Sequence, residues 1–359
     1  MSDTVFDSIS RELRSRVDHA HDYAVVENDT IFRTSLLSSW VLGSEFRRVE
    51  AAREYLLRAY EGRDLMDIFH GTEIETHEGQ CFAINSHEPL EIPCPGRDEL
   101  KQLLLADLTL VRGIGQKTLH TLKRRGYHTL TDLSSHRKFG PGAKECIRTI
   151  NGSDPTELTR LVERRYTAGH EKTLATSCMY DNPNLLFLDL ETMGFFQRPI
   201  ILFGIASVEK STIRISQFLV RDIAEELPAL IALRSDLGED AVLVTFNGKT
   251  FDLPYLRGRY AFYGEPHYMK NPHFDILHTA RRQWKRIMPD CRLTTLENRL
   301  FGIIRADDIP SSMVPEFYAT YLATGNAGPL VPIVSHNRQD LVTLARLFFH
   351  LQEAGLARN

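Results

Sequence analysis

The hydrophobic pattern divides the chain into two unlike stretches. Before residue 166 apolar positions recur mainly at helical spacing, whereas beyond residue 184 short apolar runs alternate with helical segments. In the first stretch, residues 47–69 read as a helix through Val49, Ala52, Leu56, Leu57 and Tyr60, and residues 72–84 as a hairpin turning at Glu78-Gly79. Residues 103–111 and 116–125 read as helices separated by Gly113-Ile114-Gly115. Residues 167–183 lose periodicity and read as a linker. The second stretch predicts strands at 185–188, 199–208, 212–219, 241–246 and 273–276. Helices are expected at 221–234, 252–263, 277–287, 294–300, 315–322 and about 336–353. Three hairpin-linked strands followed by strand and helix alternation predict an α/β domain with a mixed five-stranded sheet, preceded by a mainly helical domain. The expected divisions are an N-terminal region at 1–98, a helical region at 99–166, the linker, and the α/β domain at 184–359.

Composition changes this picture little, because 42% hydrophobic and 25% charged residues are ordinary for a globular protein. The apolar runs are too short to span a bilayer, and residues 1–18 are charged, without an apolar leader. Five scattered cysteines, Cys81, Cys94, Cys146, Cys178 and Cys291, form no CxxC pair, so neither a zinc site nor a redox centre is expected and the chain reads as a reduced, cytoplasmic protein. His70, His77 and His87 lie too far apart to suggest metal ligation over ordinary exposed or packed histidines.

Charge is more informative. Residues 101–175 carry 14 Lys and Arg against 7 Asp and Glu, while the whole chain has a formal net charge of −4. A basic segment in an acidic protein suits phosphate, although a solvated face is the plainer explanation of any charge run. Here the basic residues flank a motif. A tight Gly113-Ile114-Gly115 turn before a helix resembles a helix-hairpin-helix element, in which backbone N–H groups at a helix start face a nucleic-acid phosphate. Lys117, Lys123, Arg124 and Arg125 fit that use, and Gly140-Pro141-Gly142 suggests a weaker second copy. The competing reading is a helical hairpin that needs a turn for packing alone.

The sharpest chemistry lies in the α/β stretch. Asp189 and Glu191 follow four apolar residues of the strand at 185–188, and the period of two puts both carboxylates on one face. Paired buried carboxylates repel one another, and a hard divalent cation relieves that repulsion. Asp252 follows a strand ending in Asn247-Gly248 and enters the first turn of a helix, where a helix cap is the alternative role. His336 and Asp340 are four apart, hence on one helical face beside the apolar stripe Leu341, Leu344, Leu347, Phe348 and Leu351. A salt bridge from Asp340 to Arg338 or Arg346 is the structural alternative. A histidine near a helix start is expected to have a depressed pKa, which makes His336 a candidate general base.

The ordered combination of Phe187 to Thr192, Asn247 to Asp252 and His336 to Asp340 resembles the DEDD 3′→5′ exonuclease superfamily, which has a ribonuclease H-like fold. With Arg281-Arg282-Gln283-Trp284, Asp308-Ile309-Pro310 and His336-Asn337, residues 184–352 are most similar to its YprB-like branch. The resemblance implies that Asp189, Glu191, Asp252 and Asp340 hold two divalent ions, Mg²⁺ or Mn²⁺. His336 stands at the three-residue spacing that goes with tyrosine in the superfamily, so its assignment as base rests on its own chemistry. Asn247, Lys249 and Arg257 are candidate substrate contacts, with Arg259, Arg281, Arg282 and Lys285 as further candidates for the nucleic-acid backbone. Gly113, Gly115, Lys117, Lys123, Arg124 and Arg125 are the candidate contacts in the helical region. Asp275 is expected either to support the site or to cap the helix after it, and Phe251 to pack in the core.

These readings give a metal-dependent nuclease acting on DNA or RNA, with 3′→5′ exonuclease action expected. A ribonuclease H-type endonuclease and a non-catalytic nucleic-acid-binding protein are the alternatives.

Overall fold

The computed structural model describes residues 50–93, 96–194, 198–265, 269–305 and 308–357. The expected absence of a leader at residues 1–18, the start of the 47–69 helix and Cys94 lie outside them. The chain divides into two compact units after Ala51, and the whole sheet belongs to the larger one, Ala52–Asn359.

Helix α1 is described over residues 50–59 and α2 covers Leu65–Phe69. The single helix expected over 47–69 is therefore broken. Gly62 takes a positive φ of 69°, and Asp64 starts the second helix by accepting the Met66 N–H at 2.8 Å.

One mixed sheet organises the unit, with strands β1 (Thr72–Thr76), β2 (Gly79–Pro89), β3 (Leu185–Thr192), β4 (Ile200–Glu209), β5 (Thr212–Leu219), β6 (Val242–Thr245) and β7 (His273–Asp275). Their order is β1-β2-β5-β4-β3-β6-β7. The pairs from β1 to β3 are antiparallel, and β3, β6 and β7 run parallel. The five expected strands are all present, but the sheet has seven. The N-terminal hairpin, expected as part of a separate region, pairs with β5 from Phe82↔Leu219 to Pro89↔Thr212 and covers an edge that would otherwise present unpaired backbone groups.

Period-two alternation along β3 sorts the core. Leu185 and Phe187 pack with Val242, Val244, Leu341, Leu344 and Phe348 on one face, and Leu186, Leu188 and Leu190 pack with Leu230, Leu233, Leu256 and Tyr260 on the other. The second face is covered by α9 (Glu226–Asp236) and α10 (Asp252–Phe262). The first is covered by α14 (Leu330–Ala357), with α11 (Leu277–Trp284) and α12 (Leu293–Phe301) beside it; α13 (Val314–Thr324) precedes α14. Asp189 and Glu191 fall in the odd-numbered register, toward α14.

The helical region contains α3 (Arg97–Leu105), α4 (Gln116–Arg124), α5 (Leu130–Leu133), α6 (Gly140–Asn151) and α7 (Pro155–Glu163) around a core of its own that includes Leu104, Leu122, Leu133 and Ile150. Residues 167–183, expected as a linker, are packed. They contain α8 (Glu171–Ala175), bury Leu174, Ala175 and Cys178, and dock on α14 through Gln352 Nε2 donating to Ser177 Oγ at 2.8 Å. Gly169 lies so close to His278 that a Cβ would approach its side chain to 2.4 Å. Among the described residues no helix is long and apolar enough to cross a membrane.

At the β6–β7 edge His273 Nε2 is 2.8 Å from Thr245 Oγ1, and burial followed by the Lys249 charge pushes the imidazole down to about 4 from 6.5. The unfolded chain thus takes up this proton at higher pH than the folded one. Stability from this group is complete above pH 6.5 and declines as pH falls toward 4, by about 1.4 kcal/mol per unit at most. The melting temperature is expected to drop less between pH 7 and pH 5 in His273→Asn than in wild type; parallel pH dependences would contradict this.

Candidate active site

Three elements bring the candidate acids together. β3 supplies Asp189 and Glu191, the first turn of α10 supplies Asp252, and α14 supplies Asp340. Glu191 and Asp252 are buried, while Asp340 keeps 16% side-chain exposure. Burial, reinforced by Asp340, Glu191 and Asp252, raises the Asp189 carboxyl well above its usual range. Burial and then Asp340 and Asp252 do the same to Glu191, and burial pushes Asp252 up to about 7. Asp340 is also raised by burial, against the pull of His336 and Arg305. Asp340 and Asp252 thus act on both Asp189 and Glu191, whereas the acid that acts on Asp252 is Asp275.

Asp340 does pair with an arginine, but from outside its helix. Arg305, in the segment after α12, gives Nη2 to Asp340 Oδ1 at 2.5 Å and Nε to Glu297 Oε2 at 2.6 Å. Arg338 instead reaches Glu88 Oε1 at 3.1 Å. Glu297 is 1% exposed and also accepts from Thr343 at 2.6 Å and from Gln339, so Arg305 is fixed by a buried acid as well as by the site. No periodicity marks a loop arginine such as this one.

His336 departs from its expected setting. α14 begins at Leu330, so the imidazole is well inside the helix and not at its positive end. Burial lowers its proton affinity, but the Asp308 hydrogen bond and the Asp340, Asp308 and Asp189 charges outweigh this, and the net shift is upward from 6.5. The expected depression is therefore reversed. Nδ1 is 2.7 Å from Asp308 Oδ1, and Nε2 lies 3.5 Å from Asp340 Oδ2, 3.9 Å from Glu191 Oε1 and 3.3 Å from Ser311 Oγ.

The β6–α10 turn is shaped by Asp275. Its carboxylate accepts N–H bonds from Asn247 at 2.9 Å, Lys249 at 3.0 Å and Leu277 at 3.2 Å, so it both engages the first N–H of α11 and holds the turn. Asn247 adopts φ 72°, and its turn leads directly to Asp252. Lys249 and Arg257 are exposed, as are Arg281, Arg282 and Lys285 on or beside α11. Arg259 is not available for substrate, because it is 3% exposed and ion-paired with the fully buried Glu226. Phe251 is half-buried and lies tilted against Tyr255 with ring centroids 5.5 Å apart, so it borders the core without entering it.

In the helical region Gly113 has φ 90°, Gly115 precedes α4 without a side-chain cap, and Lys117, Lys123, Arg124 and Arg125 are exposed. The second Gly-x-Gly lies inside the first turn of α6. A Cβ on Gly140 would come within 2.6 Å of the Ser134 carbonyl, and one on Gly142 within 3.0 Å of Val111, so these glycines permit close packing. His70, His77 and His87 remain apart, at the end of α2, in the hairpin turn and beside Glu209.

The donor set fits hard divalent cations in kind: four carboxylates, all raised by burial, of which Asp340 is paired with an arginine. Among the described residues, no three acid, histidine or cysteine groups are close enough as they stand to enclose one ion.

Because ionised Asp252 is disfavoured in the fold, its neutral isostere should be the more stable. In the presence of EDTA at pH 8, Asp252→Asn is expected to unfold at higher denaturant than wild type, by on the order of 1 kcal/mol or more. A lower midpoint would mean that the carboxylate is stabilised by contacts and not burdened by its neighbours.

Residues 186–352 match the RNase_H superfamily model. The chain is also 30% identical over 209 residues to the uncharacterized protein YprB of Bacillus subtilis (strain 168), a match covering 57% of this chain and 50% of that protein. The chain thus spans about half the length of that curated relative.

Proposed function

We propose that the ribonuclease H-like domain at residues 186–352 is a metal-dependent nuclease of the DEDD type, with 3′→5′ exonuclease action on DNA or RNA. The observation that supports this reading is that burial raises Asp189, Glu191, Asp252 and Asp340, with the charges of Asp340 and Asp252 adding to the rise at both Asp189 and Glu191. Such an arrangement burdens folding and is accounted for by cations. Asp189, Glu191, Asp252 and Asp340 would hold two Mg²⁺ or Mn²⁺ ions, which when bound supply charge stabilisation at the phosphodiester and lower the pKa of water.

The protein groups have separate tasks in this reading. His336 would accept a proton from water, with Asp308 on Nδ1 orienting the ring and stabilising the imidazolium that forms. Arg305 takes one oxygen of Asp340 and leaves the other toward His336. The fixed turn at Asn247, with exposed Lys249 and Arg257, would receive the terminal nucleotide and its phosphates. The helical region would hold the backbone of the same strand at Gly113, Gly115, Lys117, Lys123, Arg124 and Arg125, supported by the uncapped start of α4. An internal cutter built on the same acids is the second reading, since ribonuclease H-like domains serve both modes and nothing in the four acids themselves selects an end.

A 3′-labelled and a 5′-labelled strand, in DNA and RNA forms, incubated with Mn²⁺ or Mg²⁺ distinguish the modes. Stepwise loss from the 3′ end, abolished in Asp189→Ala and Asp340→Ala, is expected. Internal cuts alone would replace the exonuclease reading with an endonuclease, and activity that survives both substitutions would remove the site. Replacing Lys123, Arg124 and Arg125 together is expected to weaken nucleic-acid binding and flatten its dependence on salt, since each lost phosphate contact removes roughly 0.7 to 0.9 from the slope. An unchanged slope would show that α4 does not meet phosphate.

A further inference from the structure

We infer that Asn337 is a positioning residue that sets the Asp189 carboxylate for cation binding, and that Gly204 exists in β4 to admit it; the inference rests on the metal-site reading above. Asn337 is fully buried in α14, next to His336. Its Nδ2 donates to Asp189 twice, to the carboxylate Oδ2 at 2.8 Å and to the main-chain carbonyl at 3.2 Å. Its Oδ1 accepts from Gln217 Nε2 at 2.8 Å, and that nitrogen also donates to the Val334 carbonyl at 2.9 Å. The donor from Gln217 fixes which end of the Asn337 amide faces which way, so the NH₂ is directed at Asp189.

The strand register explains how a helix side chain reaches a strand residue so closely. Asp189, Gly204 and Gln217 stand in one row across β3, β4 and β5. The amide lies over the middle member of that row. A Cβ at Gly204 would come within 2.2 Å of Asn337 Oδ1 and 2.7 Å of Nδ2, so any side chain there would take the space that the amide fills. The donation engages Oδ2 and, through the same amide nitrogen, ties the carboxylate to its own backbone carbonyl. A neutral donor does this without adding a cation that would compete with metal. Arg305 donates to Asp340, so each of these two carboxylates has a protein donor.

Packing and positioning are separable because Ala at 204 occupies the volume that Asn337→Ala vacates. Wild type, Asn337→Ala, Gly204→Ala, the double variant and Asp189→Ala are compared by isothermal titration with Mn²⁺ and by thermal melting in EDTA. Both single variants at 337 and 204 are expected to bind Mn²⁺ about 10-fold or more weakly, the usual consequence of removing a donor behind a metal ligand. The double variant is expected to melt above Gly204→Ala yet bind Mn²⁺ no better than Asn337→Ala. Recovery of affinity together with melting temperature would show that Asn337 only fills space, and wild-type affinity in Asn337→Ala would overturn the inference while loss in Asp189→Ala keeps the site. Unchanged affinity in Asp189→Ala would overturn the site itself and this inference with it.

Discussion

Four carboxylates that share one electrostatic environment repel each other, and much of the surrounding structure consists of devices for bearing that repulsion. β3 lies inside the sheet, and Asp189 and Glu191 are paired along it with Gly204 and Leu202 of β4, which fixes both acids on one face of the strand. α14 is pinned to the same face by Leu341, Leu344, Leu347 and Phe348, which fixes Asp340 opposite them. Asp252 is anchored because its turn is tied by Asp275 and by the Gly248 N–H donating to Thr245 Oγ1 at 3.1 Å. Hydrophobic burial thus provides the rigidity, and the acids occupy what it leaves at the strand ends.

The polar neighbours of the acids answer the same constraint. Arg305, Asn337 and the His336–Asp308 pair each engage one acid or its immediate partner. None of them neutralises the whole set. Among the described residues, Arg305 is the one full positive charge in direct contact with the four acids, and it is shared with buried Glu297 and with Asp308 at 3.4 Å. The four carboxylates therefore outnumber the cations paired with them. The helical region is complementary in sign. Its exposed Lys and Arg residues suit a polyanion, and the packed segment 167–183 joins it to α11 and α14 through tight contacts at Gly169 and Gln352.

Alternation and helical spacing suffice to place β3 to β7 and to put Asp189 and Glu191 on one face of a strand, because they follow an apolar run whose period is unambiguous, whereas Asp252 and Asp340 follow the largely polar stretches 247–251 and 336–339 and stand out through the ordered motifs. Features that depend on distant partners are not legible in this way. The hairpin at β1–β2 reads as independent because strand pairing across more than a hundred residues leaves no local mark, yet it is part of the sheet. Residues 167–183 read as a linker because short helical turns packed on two elements have no period. The helix carrying His336 starts earlier than its pattern indicates, since Pro332 and Ser335 obscure its first turns, and the acids around the imidazole, Asp308 first, reverse the sign of the histidine's shift. Gly204 carries a signal within reach of the sequence: a glycine in the middle of an apolar strand marks close approach of another chain segment. Arg305 has no such signal, because a loop residue is placed by tertiary structure alone.

Whether these acids are gathered to hold a pair of cations is tested most directly by electron paramagnetic resonance of the protein titrated with Mn²⁺. The measurement needs no substrate, since two ions held by shared carboxylates are spin-coupled while isolated bound ions are not. Two bound Mn²⁺ per chain, with a coupled signal that disappears in Asp189→Ala, are expected; absence of binding, or an identical signal in that variant, would contradict the paired-cation site.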